Sequence, residues 1–481
     1  MTRAQAILAT LLVYKLALIL IGIWAARRTR DDNDFFLGGR RLGAWVAALS
    51  ASASSSSAWT LLGVSGAAYA WGLSAIWLFP ATLSGFLINW LWVAPRLMRM
   101  SREGDSLTLT EFLAGDRDAS HRTAIVRLSS VAILFSFLFY IASQFQAAGN
   151  AFSASFGLGV NSSIAIGVAV IVAYTLLGGF WAVSVTDSLQ GLMMAAAAIV
   201  LPTAAVVSVG GFAALVNGLI AAETGGVSLT RDYPGLLGVA FILGTLGIGL
   251  GYPGQPHVVN RFMALRDRSA LVRGRIIAVT WAVVIYAGML LVGWSGRVLW
   301  TIGNREEIFF ETATRTLPAV AAGIMVAAVL SAIMSTADSQ LLVAASSITW
   351  DWRRANLGGE RRPHGIGESR AVVLGVSVIA MLLAMFAPAT IFSRVLFAWH
   401  ALGSAFGPVL ILRLAGREIS GRAVLSSIAA GFGLTVVFYL LPDTPGDAAE
   451  RLVPLVVALV VAWIGSRPSA GGSSTASVSA R

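Results

Sequence analysis

One pattern repeats along this chain: an apolar run long enough to cross hydrocarbon, then a short polar link. Such runs fall at 5–26, 42–68, 73–95, 124–150, 160–180, 185–209, 236–256, 274–296, 317–347, 371–387, 390–412, 422–441 and 452–466. A bilayer core takes about 20 helical residues per crossing, so the runs predict about thirteen transmembrane helices. In hydrocarbon only helices and closed barrels satisfy their own backbone polar groups. Runs of this length therefore predict an all-α polytopic membrane protein. Composition agrees, with 57% hydrophobic and 12% charged residues, far fewer charges than a soluble domain carries. There are no cysteines, which excludes a disulfide framework, thiol chemistry and a Cys-based metal site.

The net charge of +11 is no nucleic-acid footprint, because the basic residues are spread over the links. Nearly all of them lie in alternate links, after the first, third, seventh, ninth, eleventh and last runs. Only Arg3, Arg231, Arg297, Arg305, Arg315 and Arg451 fall on the opposite side. The positive-inside rule then puts the N-terminus outside and the C-terminus in the cytoplasm of a cell-membrane protein. The first run is followed by its arginines and lacks a small-residue cleavage site, so it reads as a retained span. Lys15 and Arg394 lie within or at the edge of spans and are expected to snorkel. The whole reads as one transmembrane domain, 1–466, with a disordered, Gly/Ser/Ala-rich cytoplasmic tail at 467–481.

Three stretches break the apolar pattern. Between Ser52 and Ser57 every residue except Ala53 is serine. Serine hydroxyls compete for backbone hydrogen bonds and favour turns. Two readings stand: an unwound segment in a discontinuous helix, where transporters place their sites, or a close small-residue helix contact. The stretch Gly247 to Phe262 closes the seventh run with four glycines and two prolines, so that helix is expected to be interrupted too. Interruptions in the second and seventh segments lie five apart, as a five-plus-five inverted repeat predicts, with repeats at about 42–209 and 236–412. In the third stretch, Leu330 to Ser347, Ala332, Ser335 and Thr336 share one helical face. Their hydroxyls either back-bond to their own turn or, with carbonyls opposite, hold a hard cation. The pattern alone favours back-bonding.

These stretches coincide with a known pattern. The chain resembles the sodium/solute symporter family, most closely its sodium/proline symporters, from about Tyr14 to Pro408. The likeness is carried by LGGRRLG (37–43), the serine stretch with Trp59, LTEF (109–112), Tyr140, GGFWAVSVTDSLQ (178–190), GYPGQPH (251–257), MSTADSQLL (334–342) and AFGP (405–408). The resemblance implies a ten-helix inverted-repeat transporter core. It implies a central sodium site from the carbonyls of Ala53, Ser56 and Ala332 and the hydroxyls of Ser335 and Thr336. It implies solute contacts from Ser57, Trp59, Tyr140, Tyr252 and Pro256, and coupling or gating roles for Arg40 and Asp187. Asp187 read by itself is equally an N-cap acid at a helix start. Two departures stand out: Ser55 where proline symporters carry an aspartate, and Ile248 where they carry a tryptophan.

The expectation is therefore a sodium-driven symporter, not an enzyme, importing a small organic solute, L-proline first, by alternating access. Its partners would be that solute, Na+ and the bilayer, with no nucleic acid and no obligate protein partner. No GxxxxGK[ST] loop calls for ATP and no HExxH motif for metal catalysis. The alternatives are uptake of another amino acid or carboxylate, proton coupling through Asp187 or Asp338, and a transporter-like solute sensor. Asp338 is read either as a proton-titrating group or as a side chain in water near the inner helix end.

Overall fold

The computed structural model describes residues 3–26, 37–115, 121–176, 180–222, 227–353, 366–387 and 389–468. Helix occupies every predicted apolar segment, and we number these helices α1 to α13. They are α1 (Arg3–Ala26), α2 (Ala44–Ser55, then Trp59–Val64 and Ser65–Trp71) and α3 (Leu78–Leu87, Ile88–Val93 and Ala94–Glu103). Next come α4 (Arg122–Phe156), α5 (Val160–Thr175), α6 (Phe180–Val209) and α7 (Gly235–Gly247, Ile248–Gly254 and Pro256–Met263). The rest are α8 (Arg268–Leu299), α9 (Ala319–Ser346), α10 (Ile366–Phe386), α11 (Ile391–Leu414), α12 (Gly421–Tyr439) and α13 (Ala448–Ile464). Among the described residues, 9 helices are long and apolar enough to cross a membrane, with the second half of α2 and α3 counted as one stretch, Trp59–Glu103. Gly72, at φ 58, turns the chain between those two.

Both predicted interruptions are present. The first half of α2 stops at Ser55, and Ser56 leaves helical geometry at φ −114, ψ 67. The helix restarts with Thr60 N–H on the Ser57 carbonyl at 2.9 Å. The Ser55 hydroxyl turns back to the Ser52 carbonyl at 3.0 Å, the competition that makes serine a poor helix interior. In α7 the chain tightens over Ile248–Gly254, extends at Gln255 and restarts at Pro256, where proline's missing N–H costs nothing. The glycines here permit contact as well as bending. A Cβ on Gly254 would lie 2.6 Å from the Gly403 Cα in α11, so the α7 break packs backbone to backbone on α11.

From Ala47 to Ser55 the first half of α2 is buried, against α6, α8, α9 and the second half of α7. α1 packs on α6 and α9, while α12 and α13 pack on each other and on α11. Two backbone hydrogen bonds join the link before α2 to the end of α7: Leu42 N–H to Ala264 O at 3.1 Å, and Arg266 N–H to Leu42 O at 2.9 Å. The strand Arg417–Ile419 pairs antiparallel with Ser466–Pro468. Arg467 and Pro468 of the expected tail thus lie in a ladder, and 469–481 lie outside the described residues.

Two readings are corrected. Arg394 does not snorkel: its side chain is buried, donating to Gln146 Oε1 at 2.9 Å and to the Ala387 carbonyl. Protein acceptors replace the water it would otherwise seek. Asp338 is not in water either; it is fully buried and accepts a hydrogen bond from Thr175.

Candidate functional site

Ser335 and Thr336 project from α9 at the break in α2. The Ser335 hydroxyl donates to the Ala53 carbonyl at 3.2 Å and lies 3.2 Å from the Ala332 carbonyl. The Thr336 hydroxyl donates to the Ser54 carbonyl at 3.1 Å. All are fully buried. A helix that ends at Ser55 leaves its last carbonyls without intrahelical donors, and the two hydroxyls take them up. The result is a set of neutral hard oxygens of the kind a hard monovalent or divalent cation accepts. Four of the five expected ligands, Ala53, Ala332, Ser335 and Thr336, come together. Ser54 supplies a carbonyl that sequence reasoning missed. The fifth expected residue, Ser56, sends its N–H to Ala53 O at 3.3 Å and places its hydroxyl 3.3 Å from the Tyr286 hydroxyl.

Asp187 lies directly beside this set. It sits in the interior of α6, not at a helix start, so the N-cap reading falls. One carboxylate oxygen accepts from Ser50 at 2.8 Å, Ser54 at 3.2 Å and Arg261 Nη2 at 3.0 Å. Arg261 also reaches the hydroxyls of Ser50 at 3.0 Å and Ser339 at 2.6 Å. Both charges are buried, and the second carboxylate oxygen of Asp187 has no hydrogen-bond partner among the described residues. Sequence reasoning placed Arg261 among the interfacial link arginines. The available signal was its position, one turn after His257 in a helix restarted by Pro256. A cleft lined by Thr108, Asn260, Arg261 and Ser339 reaches the arginine of this pair.

On the other side of the α2 break stand the aromatics. The Tyr140 hydroxyl donates to the Ser57 hydroxyl at 3.2 Å. Tyr252 lies edge-on to Trp399, ring centroids 4.7 Å apart, and Tyr140 lies 6.4 Å from the same indole. Tyr286 of α8 joins the cluster, its hydroxyl 3.0 Å from that of Tyr252 and its ring 6.5 Å from Trp59. Trp59, Tyr140 and Tyr252 thus meet through Trp399 and Tyr286, neither expected from sequence. The Trp59 indole N–H is buried without a hydrogen-bond partner among the described residues. Pro256 opens the second half of α7 and shows no polar contact to the cluster.

Above Trp59 the site is roofed. Phe392, at the start of α11, lies 5.6 Å from Trp59 and 5.3 Å from Trp71. Glu306, in the loop between α8 and α9, caps that helix by accepting from Ile391 N–H at 3.1 Å and Phe392 N–H at 2.9 Å. At the opposite end Arg40 ties the link before α2 to the carbonyls of Ser101 at 3.3 Å and Ser106 at 2.9 Å. It belongs to the molecule's end and not to the central site.

Two discontinuous helices meeting a continuous one around buried oxygens and aromatic rings define a secondary transporter. The chain belongs to the sodium:solute symporter family, whose sequence model matches residues 35–431. It is 33% identical over 478 residues to an osmoregulated proline transporter of Bacillus subtilis, covering 96% of each chain. It is 35% identical over 454 residues to a sodium/proline symporter of Escherichia coli, covering 91% of this chain and 88% of the relative. Its fold resembles that of a Na+-coupled sialic acid symporter solved in a substrate-bound outward-open state, with TM-score 0.78, 16% identity, and coverage of 96% and 99%. A nucleobase-cation-symport-1 family transporter has a TM-score of 0.56 at 13% identity, with coverage of 90% and 95%. These family members and relatives are transporters rather than enzymes.

Proposed function

We propose that this protein is a sodium-coupled symporter that imports L-proline. The observation that carries the reading is the α9 pair, Ser335 and Thr336, bonded to carbonyls freed by the break in α2. Sodium, the cargo ion, is held by the oxygens of Ala53, Ser54, Ala332, Ser335 and Thr336, with Ser56 close by. Bound there, it links the broken helix to α9 and orders the α2 gap next to the solute site. Such ordering raises solute affinity, and the coupling is reciprocal.

The solute lies among Ser57, Trp59, Tyr140 and Tyr252, with Tyr286 and Trp399 completing the wall and Pro256 setting the restart of α7. A pyrrolidine ring suits aromatic walls, and their hydroxyl and indole groups give polar handles. Thirteen crossings put the N-terminus outside and the C-terminus in the cytoplasm, with repeats at about 42–209 and 236–412 rocking around the site. The roof of Phe392 and the cleft to Arg261 fit a form closed outside and open inside. Asp187 with Arg261, and Arg40 at the inner end, control release on that side.

Uptake of labelled proline into proteoliposomes, under sodium and proton gradients imposed separately, tests the reading. Uptake driven by sodium alone is expected. Uptake driven by the proton gradient alone would move the coupling to Asp187 or Asp338. Absence of proline uptake under either gradient would overturn the solute.

A further inference from the structure

The restart of α2 holds a group that the reading above does not use. Where a helix begins, its first amides have no intrahelical acceptor, and the helix dipole makes that end attractive to a carboxylate. Here the Ala58 N–H donates to Gln144 Oε1 of α4 at 3.0 Å. Gln144 is fully buried, and its Nε2 donates to the Ser143 hydroxyl at 3.1 Å. The amide's orientation is fixed by chemistry, because an N–H needs an oxygen opposite. The next amide, Trp59 N–H, is met by the Ser57 hydroxyl at 3.2 Å, which in turn accepts from Tyr140. Tyr140 and Gln144 are four residues apart on one helix face. In the first turn of the same restart the Trp59 indole N–H is buried without a hydrogen-bond partner among the described residues, with the residue only 4% exposed. The gap is thus rich in donors, and one neutral side-chain oxygen occupies the place of an anionic one.

We propose that Gln144 is a specificity-determining residue, selecting solutes that carry a carboxylate. In this structure its carbonyl occupies the Ala58 N–H. When a carboxylate arrives, that oxygen withdraws and Nε2 turns to donate to the solute. A carboxylate only accepts, so each donor in the gap then has a partner; a carboxamide brings its own N–H groups and leaves clashing donors. The proposal rests on the solute site described above.

The test compares sodium-driven uptake of labelled proline in the presence of unlabelled proline and of prolinamide, in wild type, Gln144→Glu and Gln144→Leu. Glu keeps the shape and the acceptor for Ala58 but offers no donor and repels an anion. Wild type should prefer proline strongly. In both variants the KM for proline should rise about tenfold to hundredfold, the worth of one hydrogen bond to a charged group. Inhibition by prolinamide should change little, so the ratio of the two collapses. Gln144→Asn, which withdraws the amide by one methylene, gives the same reading should Gln144→Leu not reach the membrane. A merely structural role would weaken both competitors alike. Proline uptake in wild type with an unchanged proline-to-prolinamide ratio in the variants would overturn the role of Gln144 alone. A wild type indifferent to proline and prolinamide would overturn the solute reading with it.

Discussion

Removing the Ser335 hydroxyl takes away one oxygen of about five from the proposed ion site and one of the donors to the Ala53 carbonyl. Thr336→Ala does the same to Ser54. In this structure these contacts are ordinary hydrogen bonds of 3.1–3.2 Å. With sodium present each becomes a contact to a charge, comparable to a hydrogen bond to a charged group at about 1.5–3 kcal/mol. At 1.4 kcal/mol per decade, that weakens sodium affinity by about tenfold to hundredfold. Ser335→Ala and Thr336→Ala should each right-shift the sodium dependence of uptake by that factor. Proline KM at saturating sodium should move less, because these hydroxyls lie on the α9 side of the gap. Thr336→Ser keeps the hydroxyl and should stay close to wild type. The double variant should be nearly uncoupled, with effects that do not add, since the two residues share neighbouring ligands. The assay is initial uptake rate against sodium concentration at fixed pH. Wild-type sodium dependence in both single alanine variants would refute the site.

Other expectations follow from the same geometry. Trp59→Ala and Tyr252→Ala each remove a wall of the aromatic cluster and should raise the KM for solute; unchanged kinetics in both would place the solute elsewhere. Ser55→Asp adds a carboxylate at the broken end of α2 and should lower the sodium half-saturation, against the cost of desolvating it; no change in a well-folded variant would mean Ser55 is remote from the ion. Burial pushes the Glu306 carboxyl above its usual 4.5, against the opposing pull of the Phe392 and Ile391 amides. A pKa raised in the closed form means that form binds the proton more tightly, so acid in the window just above 4.5 favours closure and rising pH releases it. Glu306→Gln should therefore remove any response of uptake to pH in that window, and an identical response in the variant would refute a link between the Glu306 cap and closure.

Both helix breaks were legible because they are local: serine density and a Gly/Pro cluster act on their own backbone. The face of Ser335 and Thr336 was legible for the same reason, as helical spacing alone puts them together. What could not be read was the partner. The hydroxyl of Ser335 finds Ala53 across 282 positions, and no periodicity reports which carbonyl waits there. Tyr286 and Trp399 sit in apolar runs where an aromatic residue reads as lipid-facing or core. Arg261 and Arg394 follow the charge statistics of membrane interfaces, yet Asp187 and Gln146 draw them inward. Gln144 stood among small and apolar residues of α4, with nothing nearby to indicate that its partner was a bare amide in another helix.

The two main-chain bonds from Leu42 to Ala264 and Arg266 bear on mechanics. They act as a pin between the outgoing end of one broken helix and the incoming end of the other. A tilt of the first half of α2 must therefore carry the second half of α7 with it, and the pair has one rotational freedom where separate rods would have two. Among the described residues the remaining halves, beyond their gaps, meet through a ring contact instead, Trp71 edge-on to Phe241 with centroids 5.8 Å apart. One pair of half-helices is thereby joined by main-chain bonds and the other pair by a contact between side chains. Because the pin is made of peptide groups, it is indifferent to side-chain identity so long as residues 42 and 266 are not proline.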